Sequence, residues 1–195
     1  MNINTESIGR VGIKYLNLKN MKTNKFFLLV AIITICFSKT NLCQAQQLPY
    51  KEVVVENPNA EADLKVAADY SNAIAAGDVA KMKNLLSDKA MMYGPSPIDS
   101  STAEQTIKGW VDGGFKTSTN RKVSFVQQTS KILQGPFKGN WVYQWGTFTF
   151  TQDGKTVSFP YQSTSRIENS KIVTSRIYYD RLYMMTQLGF KLTPP

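Results

Sequence analysis

An α+β domain, with helices first and an antiparallel meander after them, is what this sequence predicts, and three observations predict it. Apolar residues recur at helical spacing through "EADLKVAADYSNAIAAGD" and "VAKMKNLL". Four β-prone segments joined by short turns fill residues 121–179. The last of them changes, within "RIYYDRLYMMTQLGF", from strand alternation to the helical spacing of Leu182, Met185 and Leu188 before Gly189.

The elements follow in order. Residues 21–45 carry Lys22 and Lys25 ahead of an apolar run at residues 26–37, and a polar stretch closed by the small residue Ala45. That is the layout of a secretory signal peptide. The run falls well short of the roughly 20 residues that cross a bilayer as a permanent helix. Thr40-Asn41-Leu42 before Cys43 lacks the small residue that lipoprotein processing prefers. Residues 1–45 are therefore expected to be an export leader cut after Ala45, with Met21 a candidate for the true start. Residues 46–60, polar and carrying Pro49 and Pro58, read as an extended arm with a β-prone patch at Val53, Val54 and Val55.

The first helix should place Leu64, Ala67, Ala68, Ser71, Ile74 and Ala75 on one side and end at Gly77, a natural C-cap. Asp78 caps a second, with Val79, Met82, Leu85 and Leu86 on one face. "KAMMYGPSP" is a short strand stopped by Gly94, Pro95 and Pro97. Ser101 and Glu104 form a capping box for a third helix through Ile107, Trp110 and Val111. In the meander, turns fall at Asp153-Gly154 and around Asn169.

Composition narrows the chemistry. The whole chain has 23 basic and 14 acidic residues, a formal +9. Residues 1–45 hold six of the basic and one of the acidic ones, so 17 and 13 remain, a net +4. These charges are scattered, with no basic cluster interleaved with aromatics, and nucleic acid is not an expected partner. Both cysteines, Cys36 and Cys43, lie in the leader, and the chain has no histidine. Ordinary zinc ligation, Ser-His-Asp and Cys-His nucleophiles, and an imidazole base are thereby excluded from the exported chain. No metal and no cofactor is expected.

Three helices, a short strand and a meander ending in Tyr-Tyr-Asp with a "QLGF" tail resemble the SnoaL-like branch of the nuclear-transport-factor-2-like superfamily. Tyr70 in "AADYSNAIAAGD", the break "NSKI" before the last strand and "YYDRLYMMTQLGF" carry the resemblance, which covers residues 61–190. It implies a cone: a curved antiparallel sheet packed against three N-terminal helices, a short C-terminal helical tail, and a pocket at the open end. It also implies enzymes to compare with. The ketosteroid-isomerase type places an aspartate base directly before a proline, where this chain has Gly94 before Pro95; its oxyanion tyrosine matches Tyr70, and its second donor falls near Ser163. The epoxide-hydrolase type needs an aspartate at the end of the last strand, matched by Asp180, and an Arg-x-Asp where Gly146-Thr147-Phe148 stands. Cyclase members rely on one aspartate, a role open to Asp180.

The resemblance thus leads to an exported domain, periplasmic or extracellular, that binds a small apolar or aromatic molecule in its cone without catalysis. The alternatives are an isomerase or cyclase using Asp180 and Tyr70, and a protein-interaction module with a filled cone. The expected cone lining is aromatic at Tyr70, Tyr93, Trp110, Phe115, Phe148 and Tyr178, and polar at Gln144, Gln162 and Asp180. Asp180 equally reads as a cap of the tail helix. Trp141, Tyr143 and Trp145 should face outwards, and a homodimer through that outer sheet face is expected to cover them. No membrane contact is expected once the leader is removed.

Overall fold

A computed structural model describes residues 49–191 and Thr193. The expectations for residues 1–45 lie outside the described residues. The arm makes one helical turn, α1 (Tyr50–Val53), and a two-residue strand, β1 (Val54–Val55), paired at the sheet edge with Ile132 and Lys131. Helix α2 (Ala60–Ala76) buries Asp63, Val66, Ala67, Tyr70 and Ala73, whose three- and four-residue spacing makes one face. Its buried face is centred on Val66, Tyr70 and Ala73, turned from the one expected; Leu64 and Ile74 flank it, partly buried. The helix stops at Gly77, which takes φ 74° as a left-handed cap needs. Asp78 then caps α3 (Val79–Leu85) by accepting the Lys81 N–H at 2.9 Å.

Strand β2 (Leu86–Tyr93) follows α3 without a linker, and β3 (Ser100–Thr102), which the sequence does not announce, pairs back onto it. That strand moves the next helix cap by one residue. Thr102 rather than Ser101 caps α4 (Ala103–Gly109): its hydroxyl accepts the Gln105 N–H at 3.2 Å, and the Gln105 side chain accepts the Thr102 N–H at 2.9 Å. The chain then widens into a π-helical turn at Trp110–Gly114 and ends in α5 (Phe115–Thr117). Gly114 permits this, because a Cβ there would run into the Trp110 ring.

The meander is β4 (Thr119–Ile132), β5 (Gly139–Gln152), β6 (Lys155–Glu168) and β7 (Lys171–Tyr179). Two-residue turns join the last three strands, with both central residues at positive φ: Asp153-Gly154 and Asn169-Ser170. The seven strands form one curved, open sheet in the order β1-β4-β5-β6-β7-β2-β3; β2 and β7 are parallel and the other neighbours antiparallel. This is the α+β cone that the sequence predicts.

Its main core lies between the helices and the sheet, with Met82, Leu86, Val142 and Ile172 at 0–2 % exposure. Each such side chain contributes about 1.5–3 kcal/mol of burial. A second cluster, Phe150, Val157 and Phe159, receives Met184 and Leu188 from the tail helix α6 (Arg181–Gln187) and the residue after it. Leu188 packs as expected. Met184 takes the place foreseen for Leu182, which is half exposed.

Candidate functional site

A cavity of about 450 Å³ opens between α2 and the inner face of the sheet. The size is ordinary for a small-molecule site, and the cone is not filled. Strand pairing builds its wall in cross-strand rows, because paired residues point to the same face. One row is Ser165 and Ser175; the next is Gln144, Ser163 and Ile177; then come Tyr161 and Tyr179, with Gly146 paired opposite Tyr161, and finally Phe148 with Phe159. The rows grade from hydroxyl and amide groups to aromatic rings.

Gln144, 2 % exposed, organises the polar end. Its Oε1 accepts the Ser71 hydroxyl from α2 at 2.8 Å and the Tyr161 hydroxyl at 2.8 Å, with Ser163 Oγ at 3.5 Å. Its Nε2 is buried and has no hydrogen-bond partner among the described residues. Deeper still, Ser165 and Ser175 bond each other at 2.8 Å. Tyr161 reaches Gln144 because its ring lies across Gly146, where a Cβ would stand 2.8 Å from the ring. Burial pushes the Tyr161 hydroxyl up to about 12, with the Ser71 hydrogen bond acting in the opposite sense. Burial likewise raises Tyr70, which lines the cavity from α2. Both stay protonated as neutral hydrogen-bonding groups at ordinary pH.

The other end is aromatic. Phe159 sits 5.1 Å from Tyr179 and 6.1 Å from Phe148, and Trp110 lies 6.3 Å from Phe148. Burial raises Tyr179 as well. Met184 of the tail helix completes this side. Every described lining residue is uncharged: none is Asp, Glu, Lys or Arg.

The structure therefore brings Tyr70, Tyr93, Trp110, Gln144 and Phe148 to one cavity. Four other expected lining residues stand elsewhere. Phe115 stacks behind Trp110 at 5.3 Å and carries the Arg121 guanidinium on its ring. Gln162 and Tyr178 are neighbours on the outer face of β6 and β7, both exposed. Asp180 is exposed too, and its carboxylate accepts the Tyr183 N–H at 2.8 Å as the cap of α6. This corrects the expectation that the last strand delivers Tyr178 and Asp180 into the cone. Ser175, Ile177 and Tyr179 face in, so the alternate residues Arg176 and Tyr178 face out, and Asp180 follows the strand's end. Tyr70 and Asp180 are consequently not assembled as a pair in the cavity.

The residues missed at the sequence level include Ser71, Phe159, Tyr161, Ser163, Ile177 and Tyr179. On β6 a signal existed: Val157, Phe159, Tyr161, Ser163 and Ser165 share one parity, and the exposed Ser158, Pro160 and Gln162 the other. Among the described residues, no three His, Cys, Asp or Glu side chains are grouped as a metal's ligands would be. No described helix is long and apolar enough to cross a membrane.

No protein-family model matches the chain, and no curated protein matches it in sequence. Solved structures do. An LEH-like epoxide hydrolase of M. tuberculosis superposes with a TM-score of 0.54 at 15% identity, covering 68% of this chain and 92% of its own. IdmH, a putative polyketide cyclase from Streptomyces antibioticus, gives 0.52 at 18%, covering 66% and 99%. A protein of ketosteroid isomerase-like fold from Catenulispora acidiphila, solved with trimethylamine, gives 0.52 at 14%, covering 67% and 98%. At these identities the likeness is one of fold: this chain shares its α+β cone with these solved structures.

Proposed function

We propose that this SnoaL-like cone is a binding module that takes up a small, uncharged, largely aromatic or alicyclic molecule and does not transform it. The observation that carries the reading is the wall itself: an open cavity of about 450 Å³ whose lining is apolar, aromatic, hydroxyl or amide, and nowhere ionised. General acid–base chemistry needs a group that exchanges a proton near the working pH. Burial moves the tyrosines away from that range, and Asp180, the aspartate to which the family resemblance points, holds a helix end outside the cavity. Apolar contact supplies the affinity at such a site, and a few placed polar groups set the orientation.

The layout of residues 21–45 supports an exported setting, as a further part of the proposal, with the chain beginning at Gln46. N-terminal sequencing of the exported protein checks this; an uncleaved protein kept in the cytoplasm refutes it. The binding reading is tested with 1-N-phenylnaphthylamine, an uncharged probe that brightens in apolar surroundings. Ser163→Leu adds bulk to the wall, so it should abolish probe binding while leaving the melting temperature unchanged or higher. Equal binding by wild type and a folded Ser163→Leu variant would place the probe elsewhere and end the cone reading.

A further inference from the structure

The polar end of the cavity is more specific than a general taste for apolar molecules. Gln144 has an acceptor and a donor on one planar amide, and the surroundings treat them differently. Two hydroxyls, from Ser71 and Tyr161, converge on Oε1 at 2.8 Å, and Ser163 stands behind them at 3.5 Å. That oxygen has two lone pairs, and both are taken. Nε2, with two N–H groups to place, has no partner among the described residues. A buried donor left unpaired is costly, and a partner brought to it is correspondingly favoured.

From this we infer that the closed end of the cavity reads a hydrogen-bond acceptor, so the ligand class is a neutral aromatic or alicyclic carbonyl compound rather than the corresponding acid or alcohol. The inference rests on the cone being a binding site and goes beyond it in naming the functional group. The acid is excluded by desolvation: a carboxylate drawn into this wall meets no cation. The nearby guanidiniums are engaged outside it. Arg121 donates to the Ala75 and Ser118 carbonyl oxygens and lies on Phe115; Arg176, absent from the lining, lies against the Tyr93 ring at 4.6 Å, where Tyr93 borders the cavity, and over the exposed Tyr178 at 6.0 Å. The alcohol can accept from Nε2 as well, but it brings an O–H of its own that must be placed on a serine or tyrosine hydroxyl, because Gln144 Oε1 is already filled, whereas a carbonyl oxygen brings no donor to place. The ring system of the ligand then extends towards Phe148, Phe159 and Tyr179.

Four probes of one skeleton test this by calorimetry on the purified protein: naphthalene, 2-acetylnaphthalene, 2-naphthol and 2-naphthoate. The ketone should bind about tenfold tighter than the hydrocarbon, the value of one well-made hydrogen bond, and tighter than the alcohol and the acid. Gln144→Met keeps the length and removes the amide, so in a variant shown to be folded the ketone's advantage over the hydrocarbon should shrink, with the Ser71 and Tyr161 hydroxyls left as the remaining donors. Should Gln144→Met fail to fold, the four-probe ranking on wild type still decides. Ketone and hydrocarbon binding alike, or the alcohol or acid binding tighter than the ketone, overturns the inference and leaves cone binding standing. If none of the four binds, the binding reading falls and the inference with it.

Discussion

Substituting Asp180 separates a helix cap from a catalytic or ligand-binding carboxylate, because the two roles tolerate different replacements. Its Oδ1 accepts the Tyr183 N–H at 2.8 Å, and the residue has the extended backbone (φ −76°, ψ 95°) of a cap. Asparagine caps a helix about as well as aspartate, so Asp180→Asn should keep the bond and lose only the charge at the helix N-terminus, about 0.3–1 kcal/mol at low salt. Asp180→Ala loses the bond itself, about 1 kcal/mol. Because α6 has seven residues and lies near the end of the chain, that loss can be local and leave global unfolding unchanged. Hydrogen exchange of the Tyr183 amide reads it directly: protection should fall about fivefold in Asp180→Ala, the equivalent of 1 kcal/mol, and clearly less in Asp180→Asn. Ligand affinity should be nearly unchanged in Asp180→Asn and only modestly weaker in Asp180→Ala, through the Met184 contact that α6 brings to the wall. Unaltered exchange at Tyr183 in Asp180→Ala would refute the cap, and loss of binding, or of any turnover, in Asp180→Asn would return Asp180 to the site.

Other outcomes follow from the same geometry. Asp63, 5 % exposed, accepts amide N–H bonds from Asn57 at 2.8 Å and Asn140 at 2.9 Å, tying the arm and β5 to α2. Asp63→Ala should destabilise by about 3 kcal/mol in urea titration, since bonds to a charged group are worth about 1.5–3 kcal/mol and two amides lose their acceptor; a change under 1 kcal/mol would show the cluster to be decorative. Gly146→Ala should drive its Cβ into the Ser124 carbonyl oxygen of β4 and the Tyr161 ring, costing about 1–3 kcal/mol or more together with affinity for the ketone probe, read by melting and calorimetry. Tyr161 has a folded value raised to about 12 against about 10 in the unfolded chain, so its contribution is whole below pH 10 and is lost as pH rises through 12. Tyr161→Phe should flatten that alkaline decline. On the outer face, Val126, Trp145, Gln162 and Tyr178 form one cross-strand row in which the three apolar members are 68, 39 and 49 % exposed. We propose a second copy of the chain as its cover, so Trp145→Glu should shift sedimentation from dimer to monomer; a wild type that sediments as a monomer at micromolar concentration rejects it.

What the sequence disclosed and what it withheld divide along the distance between the residues that decide each feature. Gly77 ending α2 and Asp78 starting α3 are settled by neighbours within four positions, and both stand where the spacing places them. The parity of β5 was legible as well, since Gln144 and Phe148 face in while Trp145 faces out. Trp141 also points outwards, but Phe137 of the preceding loop covers it, taking its indole N–H at 2.6 Å and leaving 9 % exposed. That contact spans a loop and no strand pattern reports it.

The parity of β7 was legible too, in a form easy to override. Arg176, Tyr178 and Asp180 alternate with Ile177 and Tyr179, and an arginine has no place in an uncharged cone, so one charge assigns the whole strand. Placing Asp180 in the cone, as the family resemblance implies, would turn the strand over. The Gln144 arrangement lies at the opposite extreme. Ser71 is 73 positions from Gln144 in sequence and Tyr161 is 17; Ser71 is brought by helix α2, and Tyr161 reaches the amide because Gly146 opposite it leaves room for the ring. Before that pairing is known, Gly146 reads as a lost charged position and Gln144 as an ordinary strand residue. Once it is known, the glycine is the reason a tyrosine reaches the amide, and the amide is the reason one donor remains for a ligand to meet.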